Sequence, residues 1–457
     1  MGRSEIRLDA VAETSLGSPI GQLRAAPVRL GQGQPRGVLV VYCADFDVDP
    51  YVEMFFFPTD TLKMALLTQR GEVVWKRDLG PGVVPGAWFC PVLPFDLDGD
   101  GADEIWFVNN LDPKHPLGLS SYCLERVDAL TGRPTGQWPW PSLGGSQDLS
   151  HLFRNFIVGG HVRGEPVLAC AQGTYGDMFF QAWRPGMARR WERSVRAADP
   201  GARGSHMCPI TDLDGDGVEE LMWGERCIEL DTGRELFCAD RGSYRGHSDV
   251  VQPVLDRATG RWFLYTCRES GNEVSPRVAL FDAQGRRLWG ALDRGHMDMG
   301  WVAHFGERPV AMAIRIGKKT CGPDGRFHQD REEFTYDALS GQPVSLPFSV
   351  YRTMPVDLNG DGCHELVRGL PGGDGEVLDR DGTVVGTVGG TVAMASRFLD
   401  LPAEQLLVYY PDGTARFWLD RNAADSPHAL ERYRHPFYEA NQRLTAVGYN
   451  LCNLGGL

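Results

Sequence analysis

The chain has 457 residues and a formal net charge of −14 at pH 7. This length allows a large buried core, and this charge argues against generic binding to nucleic acid or to an anionic membrane. Glycine and proline are abundant, at 56 and 30 residues, and long helical periodicities are absent. The composition therefore favours many short strands joined by turns, as in an all-β propeller or barrel.

Hairpins with a glycine in the turn recur along the chain, because glycine tolerates the positive φ that such turns need. They lie at 67–75, 127–133, 183–191, 230–234, 281–289, 336–341, 378–382 and 410–413. A second strand–turn–strand unit precedes each hairpin, which gives four strands per repeat. The pattern predicts an all-β fold, a single β-propeller of eight four-stranded blades. Seven blades stay open as an alternative, since the first and last repeats are the least clear.

The propeller is expected to occupy 1–457 as one domain with a short C-terminal closing segment, about 425–457. Within that segment, 425–444 could form the only helix. The eleven cysteines are scattered singly, several inside apolar runs, and the first residues contain no apolar stretch of signal-peptide length. These features favour a reduced, cytoplasmic protein, or a secreted one if an export signal has been removed.

Three acidic loops match D-x-[DN]-G-D-G-x-x-E in register with the repeat. Their candidate ligands are Asp96, Asp98, Asp100 and Glu104; Asp212, Asp214, Asp216 and Glu220; and Asp357, Asn359, Asp361 and Glu365. Alternating oxygens around a glycine turn suit a hard cation, so the motif predicts structural Ca²⁺ at up to three sites. A fourth acidic cluster, Asp45–Asp49, is followed by Pro50 where the loop needs glycine, and it is interpreted as a solvated loop.

Strands alternate in direction, so the links between blades and the middle turns share the face opposite the acidic loops. On that face the candidate catalytic residues are His247, His206, Tyr175, Tyr244 and Arg245. The candidate substrate-binding residues are Arg203, Arg226, Arg268, His296, Arg315 and Lys318. So many cationic side chains on one rim of an acidic protein indicate a polyanionic ligand, because arginine binds carboxylates bidentately. His206, His247 and His296 could alternatively bind Mn²⁺ or Zn²⁺ together.

The pattern Arg203-Gly…Asp212-Leu-Asp-Gly-Asp-Gly…Glu220-Leu…Gly224…Gly246-His247-x-Asp249 resembles the rhamnogalacturonan lyases of polysaccharide lyase family 11. The resemblance covers about 90–370. It implies a calcium-bearing eight-bladed propeller that cuts a rhamnose–galacturonate backbone by β-elimination. The chain departs from the family in showing no accessory β-sandwich and no export signal, and in the Met-Asp-Met-Gly-Trp that follows His296. At fold level it also resembles lyases of other rhamnose–uronate polymers such as ulvan.

β-Elimination needs a group that neutralises the uronate carboxylate, a base for the C5 proton and an acid for the leaving oxygen. The sequence assigns the first role to Arg245 with Arg268 or Arg315. It assigns the base to His247 or His206, and the acid to Tyr175 or Tyr244. The expected partner is an acidic polysaccharide or its oligosaccharides, with no nucleic acid, no membrane and a monomeric chain.

Two other functions stay open. A non-catalytic propeller for adhesion or carbohydrate binding would share the acidic loops but would not need clustered histidines. A metal-dependent lyase acting on short oligosaccharides in the cytoplasm would fit the cysteines and would lose activity to a chelator.

Overall fold

A computed structural model describes residues 5–50, 58–141, 149–269, 275–306, 308–321, 323 and 327–457, with the backbone alone for 149, 318–321 and 327–329. Its strands form eight antiparallel sheets, and each sheet is one blade of a propeller. The predicted fold class is confirmed. In the described residues seven blades have four strands and blade 6 has three, with a single bridge between Tyr336 and Pro343 where its fourth strand belongs.

The strands follow one another blade by blade. The first is β1 (Leu8–Ser15), which belongs to blade 8. Blade 1 has β2 (Gln22–Val28), β3 (Gly37–Cys43), β4 (Lys63–Leu67) and β5 (Val73–Asp78). Blade 2 has β6 (Val92–Phe95), β7 (Glu104–Asn110), β8 (Tyr122–Asp128) and β9 (Pro134–Pro139). Blade 3 has β10 (Asn155–Val162), β11 (Glu165–Gln172), β12 (Met178–Arg184) and β13 (Ala188–Val195). Blade 4 has β14 (Ile210–Thr211), β15 (Glu220–Trp223), β16 (Arg226–Glu229) and β17 (Glu235–Cys238).

The second half of the ring repeats this arrangement. Blade 5 has β18 (Ser248–Asp256), β19 (Arg261–Arg268), β20 (Val278–Asp282) and β21 (Arg287–Ala291). Blade 6 has β22 (Met297–His304), β23 (Pro309–Cys321) and β24 (Phe327–Asp337). Blade 7 has β25 (Met354–Val356), β26 (Glu365–Val367), β27 (Glu376–Leu378) and β28 (Val384–Thr387). Blade 8 has β29 (Thr391–Ser396), β30 (Gln405–Tyr409) and β31 (Thr414–Asp420), and β1 pairs with β31 to close the ring.

Tryptophans on outer strands join neighbouring blades through the predicted glycine turns. The indole of Trp75 donates to the carbonyl of Ala129 at 2.8 Å, and Trp289 donates to Ala338 at 2.9 Å. A Cβ on Gly132, at φ 69°, would lie 2.7 Å from the Trp75 ring. Glycine is therefore required in that turn both for its positive φ and for the ring that packs against it.

The C-terminal segment lies along the propeller axis. It contains the helices α2 (Pro427–Arg434) and α3 (Pro436–Gln442) and the 3-10 helices Arg443–Ala446 and Asn450–Gly456. Asn450 accepts from the backbone of Cys208 at 3.0 Å, and the hydroxyl of Thr445 contacts the carbonyl of Ala25 in β2. First strands of the blades thus line the axis and pack on this segment.

The expectation of one helix over 425–444 is wrong in two respects. Two helices occupy the range, because Pro436 has no N–H to continue the first one and begins the second instead. A further short helix, α1 (Leu149–Leu152), and 3-10 turns at Leu119–Ser121 and Pro185–Met187 lie elsewhere. In the described part of the chain, no helix is long and apolar enough to cross a membrane.

Candidate active site

The three acidic loops have one backbone geometry and occupy the same position in blades 2, 4 and 7. In blade 2, the first aspartate, Asp96, accepts from the N–H of Gly99 at 2.7 Å and of Gly101 at 2.9 Å. In blade 7, Asp357 accepts from Gly360 at 3.0 Å and from Gly362 at 3.1 Å. The motif therefore gives the same pattern of backbone hydrogen bonds in these loops.

The side chains of the three loops differ. Carboxylate oxygens of Asp96, Asp98 and Asp100 lie within 4.8 Å of one another, and so do those of Asp212, Asp214 and Asp216. Burial, and then the neighbouring aspartates, raise the pKa of Glu104 and of Glu220 to about 8. This donor set, oxygen alone and rich in charge, fits a hard divalent cation. In blade 7 an arginine, Arg380, contacts Asp361 and Glu365.

The opposite face carries a cluster of histidines and carboxylates from blades 4, 5 and 6. His206 and His247 lie in the links that lead into β14 and β18, Glu269 follows β19, and His296 precedes β22. The two buried imidazole rings, His206 and His247, have centroids 5.1 Å apart. The sequence correctly predicted that these histidines converge, because each enters its blade at the same edge.

Carboxylate oxygens lie close to each of the three histidines. Asp249 Oδ1 lies 3.1 Å from His206 Nδ1 and 3.7 Å from His247 Nε2. Glu269 contacts both His247 and His296, and Asp298 Oδ1 lies 2.7 Å from His296 Nδ1. One ligand atom each from His206, His247, Asp249 and Glu269 lies within 4.8 Å of the others, as do ligand atoms of Glu269, His296 and Asp298. Either group can hold a metal ion by its donor chemistry.

Tyr175 contacts both His206 and His247. Its hydroxyl lies 3.0 Å from His206 Nε2, and its ring stands edge-on to the His247 ring at 4.2 Å between centroids. Its backbone has φ 76°, an unfavourable conformation for a residue with a side chain, and such strain concentrates at functional sites. The guanidinium of Arg154 lies 4.8 Å from the centre of the Tyr175 ring.

Arg154 is a buried cation, 1% exposed, at the edge of this cluster. It lies against the Trp88 ring at 4.7 Å and pairs with Asp49 at 2.7 Å. Its Nε and Nη1 atoms have no hydrogen-bond partner in the described residues. A buried guanidinium with free donors can bind a carboxylate bidentately.

The acidic cluster at Asp45–Asp49, interpreted from the sequence as a solvated loop, is different in the structure. Asp47 accepts from the N–H of Ala87 at 2.7 Å, and Asp49 pairs with Arg154. The interpretation was wrong because a turn without glycine can still be held by partners that are distant in sequence.

The three histidines of the cluster differ in their pKa values. Burial lowers the pKa of His206 well below its usual value, helped by the charge of His247, and burial likewise lowers the pKa of His247. His296 is 47% exposed, and hydrogen bonds to Asp298 and Glu269 outweigh its desolvation and raise its pKa to about 10. Burial raises the pKa of Tyr175, which keeps its proton. The site thus combines a neutral imidazole with a protonated phenol.

Several other predicted residues lie away from the cluster or are fully engaged. Arg226 pairs with Glu235 at 2.6 Å, and Arg268 pairs with Glu225 at 2.8 Å; both are buried inside their blades. Tyr244 is buried, with its hydroxyl on the carbonyl of His247 and the Arg268 guanidinium stacked on its ring at 4.0 Å. These placements favour structural roles, because the donors are already used.

The remaining predicted residues lie at the rim. Arg245 is exposed and donates to the carbonyls of Ala197 and Ala198 at 3.4 and 3.3 Å. Arg203 donates to the carbonyl of Tyr175 at 3.5 Å, and Arg315 pairs with Glu332. Lys318 belongs to β23, and its side chain lies outside the described residues. The roles that the sequence assigns to these residues stay predictions.

A cavity of about 430 Å³ opens beside the cluster at the centre of this face. Asp249 and Asp298 line one side, and apolar side chains such as Trp301 and Leu370 line the other. Tyr449, from the axial C-terminal segment, is 42% exposed at its floor, with its ring 5.7 Å from that of His206. A cavity of this volume falls in the range of small-molecule binding sites.

Neither Glu269 nor Tyr449 was identified from the sequence. Glu269 carries no motif, although a carboxylate just after the second strand of a blade lies on the predicted face. Tyr449 is distant in sequence from every blade link, and nothing in its neighbourhood predicts that the chain returns to the axis there.

No protein-family model matches the chain. Two curated proteins of Bacillus subtilis strain 168 are similar to it. Rhamnogalacturonan exolyase YesX is 27% identical over 336 residues, which cover 60% of this chain and 54% of YesX. Rhamnogalacturonan endolyase YesW is 24% identical over 275 residues, which cover 52% of this chain and 43% of YesW.

The chain resembles rhamnogalacturonan lyases. The resemblance expected from the sequence is therefore confirmed, and the chain spans about half the length of the curated relatives it matches. Among solved structures, the Bacillus licheniformis rhamnogalacturonan lyase PL11 matches with a TM-score of 0.75 at 17% identity, over 96% of this chain and 80% of that one. The exotype lyase YesX matches with a TM-score of 0.73 at 17% identity, over 96% and 80%. At such identities the structures support the shared propeller fold.

Proposed function

We propose that this chain is a polysaccharide lyase that cleaves a rhamnose–uronate polysaccharide, or its oligosaccharides, by β-elimination. The observation that carries the proposal is the contact of the Tyr175 hydroxyl with His206, beside the buried guanidinium of Arg154. Asp249, whose Oδ1 lies 3.1 Å from His206 Nδ1, lines the central cavity. The two similar curated proteins are rhamnogalacturonan lyases, which supports the same reaction and favours a rhamnogalacturonan substrate. Ulvan and rhamnose–glucuronate polymers are the other candidates.

Each residue has a role that its environment suits. Arg154 binds the uronate carboxylate, which makes the C5 proton more acidic. His206, neutral because it is buried, removes that proton; Tyr175, still protonated, donates to the leaving oxygen. The C4–O4 bond breaks, a C4=C5 double bond forms, and the electron pair of the broken bond takes up the phenolic proton. Asp249 Oδ1 lies 3.1 Å from His206 Nδ1, which places a carboxyl group beside the proposed base.

Calcium is proposed for the acidic loops of blades 2 and 4, where it would neutralise crowded carboxylates and stabilise the turn. The ligand atoms of His206, His247, Asp249 and Glu269 favour a second candidate mechanism, in which the protein binds Mn²⁺ or Zn²⁺ at this cluster. A bound ion there would supply Lewis-acid neutralisation of the substrate carboxylate. In that case His206 is a ligand and cannot be the base.

A cytoplasmic location is proposed because the ten described cysteines are free thiols, most of them buried. The alternative function, a non-catalytic carbohydrate-binding propeller, is not favoured, since both similar curated proteins are lyases. Such a propeller would bind polysaccharide without forming product. It would not need a neutral imidazole in contact with a protonated tyrosine, as His206 and Tyr175 are here.

The decisive experiment follows the ultraviolet absorbance of the unsaturated product on rhamnogalacturonan, ulvan and gum-type polymers. Wild type is expected to form product from at least one polymer, and His206→Ala and His247→Ala are expected to lose most activity. His161→Ala is the matched control and should stay active, because the His161 ring lies by Glu219 near the end of β10, away from the cluster. Full activity in both cluster variants would refute the assignment. Activity lost to chelator and restored by Mn²⁺ or Zn²⁺, but not by Ca²⁺, would select the metal-dependent mechanism.

A further inference from the structure

The acidic loop of blade 7 repeats the backbone of the other two loops but surrounds its carboxylates with protein groups. The N–H of Leu358 donates to Glu365 Oε2 at 3.0 Å, as that of Leu97 donates to Glu104 in blade 2 at the same distance. We propose that the guanidinium of Arg380 takes the place of the cation in this loop, so that the chain takes up two loop cations and not three. The inference rests on the proposed calcium role of the loops in blades 2 and 4.

Arg380 lies where a cation would bind the loop. Its Nη2 atom is 2.5 Å from Asp361 Oδ1, also contacts Asp361 Oδ2, and is 3.5 Å from Glu365 Oε1. The Arg380 side chain is only 14% exposed. In blade 2, Arg29 lies 3.6 Å from Asp96 and Arg126 lies 3.9 Å from Glu104. In the described residues, however, no arginine or lysine forms an ion pair with the central aspartates of the other two loops, which are Asp98, Asp100, Asp214 and Asp216. A fixed guanidinium in hydrogen bonds to two carboxylates neutralises them without an ion.

The sequence of blade 7 matches this arrangement. Arg380 follows Asp379, the residue that begins the outer hairpin turn by donating to the carbonyl of Thr383. The corresponding residue is Ala129 in blade 2 and Leu230 in blade 4, neither of which carries charge. Blade 7 also has Asn359 where the other loops have aspartate, so its loop carries one negative charge fewer.

The other oxygens of the loop are also engaged. Asp357 Oδ2 accepts from the Tyr433 hydroxyl at 3.1 Å, and the amide nitrogen of Asn359 donates to Glu365 Oε1 at 3.0 Å. The start of the C-terminal segment covers the loop, since the N–H of Ser426 donates to the carbonyl of Gly360 at 2.7 Å. A divalent ion in the wild-type loop would have to displace Arg380 and compete with these partners for the same oxygens.

The test compares bound calcium per chain, measured by elemental analysis after chelation and dialysis against calcium, in three matched variants. Asp100→Asn, Asp216→Asn and Asp361→Asn remove the same charge from the same loop position in blades 2, 4 and 7. The expected result is the loss of one ion in each of the first two and no loss in the third. Loss of an ion in Asp361→Asn would overturn the inference.

Arg380→Ala is the fourth variant, because it keeps every loop oxygen and removes the guanidinium that contacts Asp361 and Glu365, while Arg432 stays 3.7 Å from Asp357. We expect this variant to bind one calcium ion more than wild type. We also expect calcium to raise the melting temperature of this variant by more than it raises that of wild type. An unchanged count would overturn the assignment of Arg380. If Asp100→Asn and Asp216→Asn lose no ion, the proposed calcium role of those two loops fails instead, and the count of two fails with it.

Discussion

Removal of one hydroxyl, in Tyr175→Phe, separates the chemistry of the site from its packing. The substitution keeps the ring, and therefore its edge-on contact with His247 and its contact with Arg154. It deletes only the 3.0 Å contact with His206 and the proton that the leaving oxygen needs. A positioned general acid contributes about 10²- to 10⁴-fold to rate, so kcat should fall by at least about 10²-fold with little change in KM.

The stability cost of Tyr175→Phe should be small. One partly buried hydrogen bond contributes about 0.5–1.5 kcal/mol, which leaves the folded population intact. The assay is the initial rate of unsaturated-product formation, with the melting temperature measured in parallel. Tyr244→Phe is the matched control, because its hydroxyl bonds to a buried carbonyl of His247: it should lower the melting temperature and leave kcat within a few-fold. A kcat for Tyr175→Phe near that of wild type would refute the role of the phenol.

Three further predictions follow from the same geometry. Arg154→Met should lower kcat/KM by about 10- to 100-fold, since a hydrogen bond to a charged group contributes about 1.5–3 kcal/mol; an unchanged value would remove Arg154 from the site. Burial lowers the pKa of His206 well below 6.5, so its imidazole is still neutral at pH 6.5. The acid limb of the kcat/KM profile should therefore lie below pH 6.5, and a kcat/KM that falls to half its maximum above pH 6.5 would contradict the base assignment. The pKa of His296 is raised in the folded state, so the stability that its protonation contributes is complete below pH 6.5 and is lost as pH rises through about 10. In His296→Gln, the melting temperature should therefore fall less over that pH range than it does in wild type. An unaltered pH profile of the melting temperature would argue against the pairing of His296 with Glu269.

The blade architecture could be predicted from sequence because its signals are local. The turn at Gly132 can be recognised from the sequence because it requires glycine. The positive φ of Gly132 and the Trp75 ring beside it leave no room for another residue. Eight such turns, each preceded by a further strand pair, left little freedom in the fold class. The convergence of His206 and His247 followed from the same periodicity, since both precede the first strand of a blade.

The rest of the site depends on contacts between distant parts of the chain. Asp49 reaches Arg154 across 105 positions, and Tyr449 comes from a segment that runs through the axis after the last blade. Neither contact leaves a periodic signal. Arg226 and Arg268 were placed on the correct face, but the sequence does not show that Glu235 of the same blade engages Arg226 or that Glu225 of the neighbouring blade engages Arg268.

The acidic loops also show what a sequence motif does not predict. The motif correctly predicted three identical turns, but a motif carries no information about what fills them. Arg380 lies fifteen positions beyond Glu365, in a different hairpin of the blade, and only the pairing of the strands brings it to Asp361.

The most direct test of the proposed β-elimination is mass spectrometry of the products formed from rhamnogalacturonan in oxygen-18 water. Elimination breaks the C4–O4 bond without adding water, so the account predicts products with a C4=C5 double bond and no solvent oxygen. Products that carry oxygen-18 at the cleaved bond would show hydrolysis and contradict it.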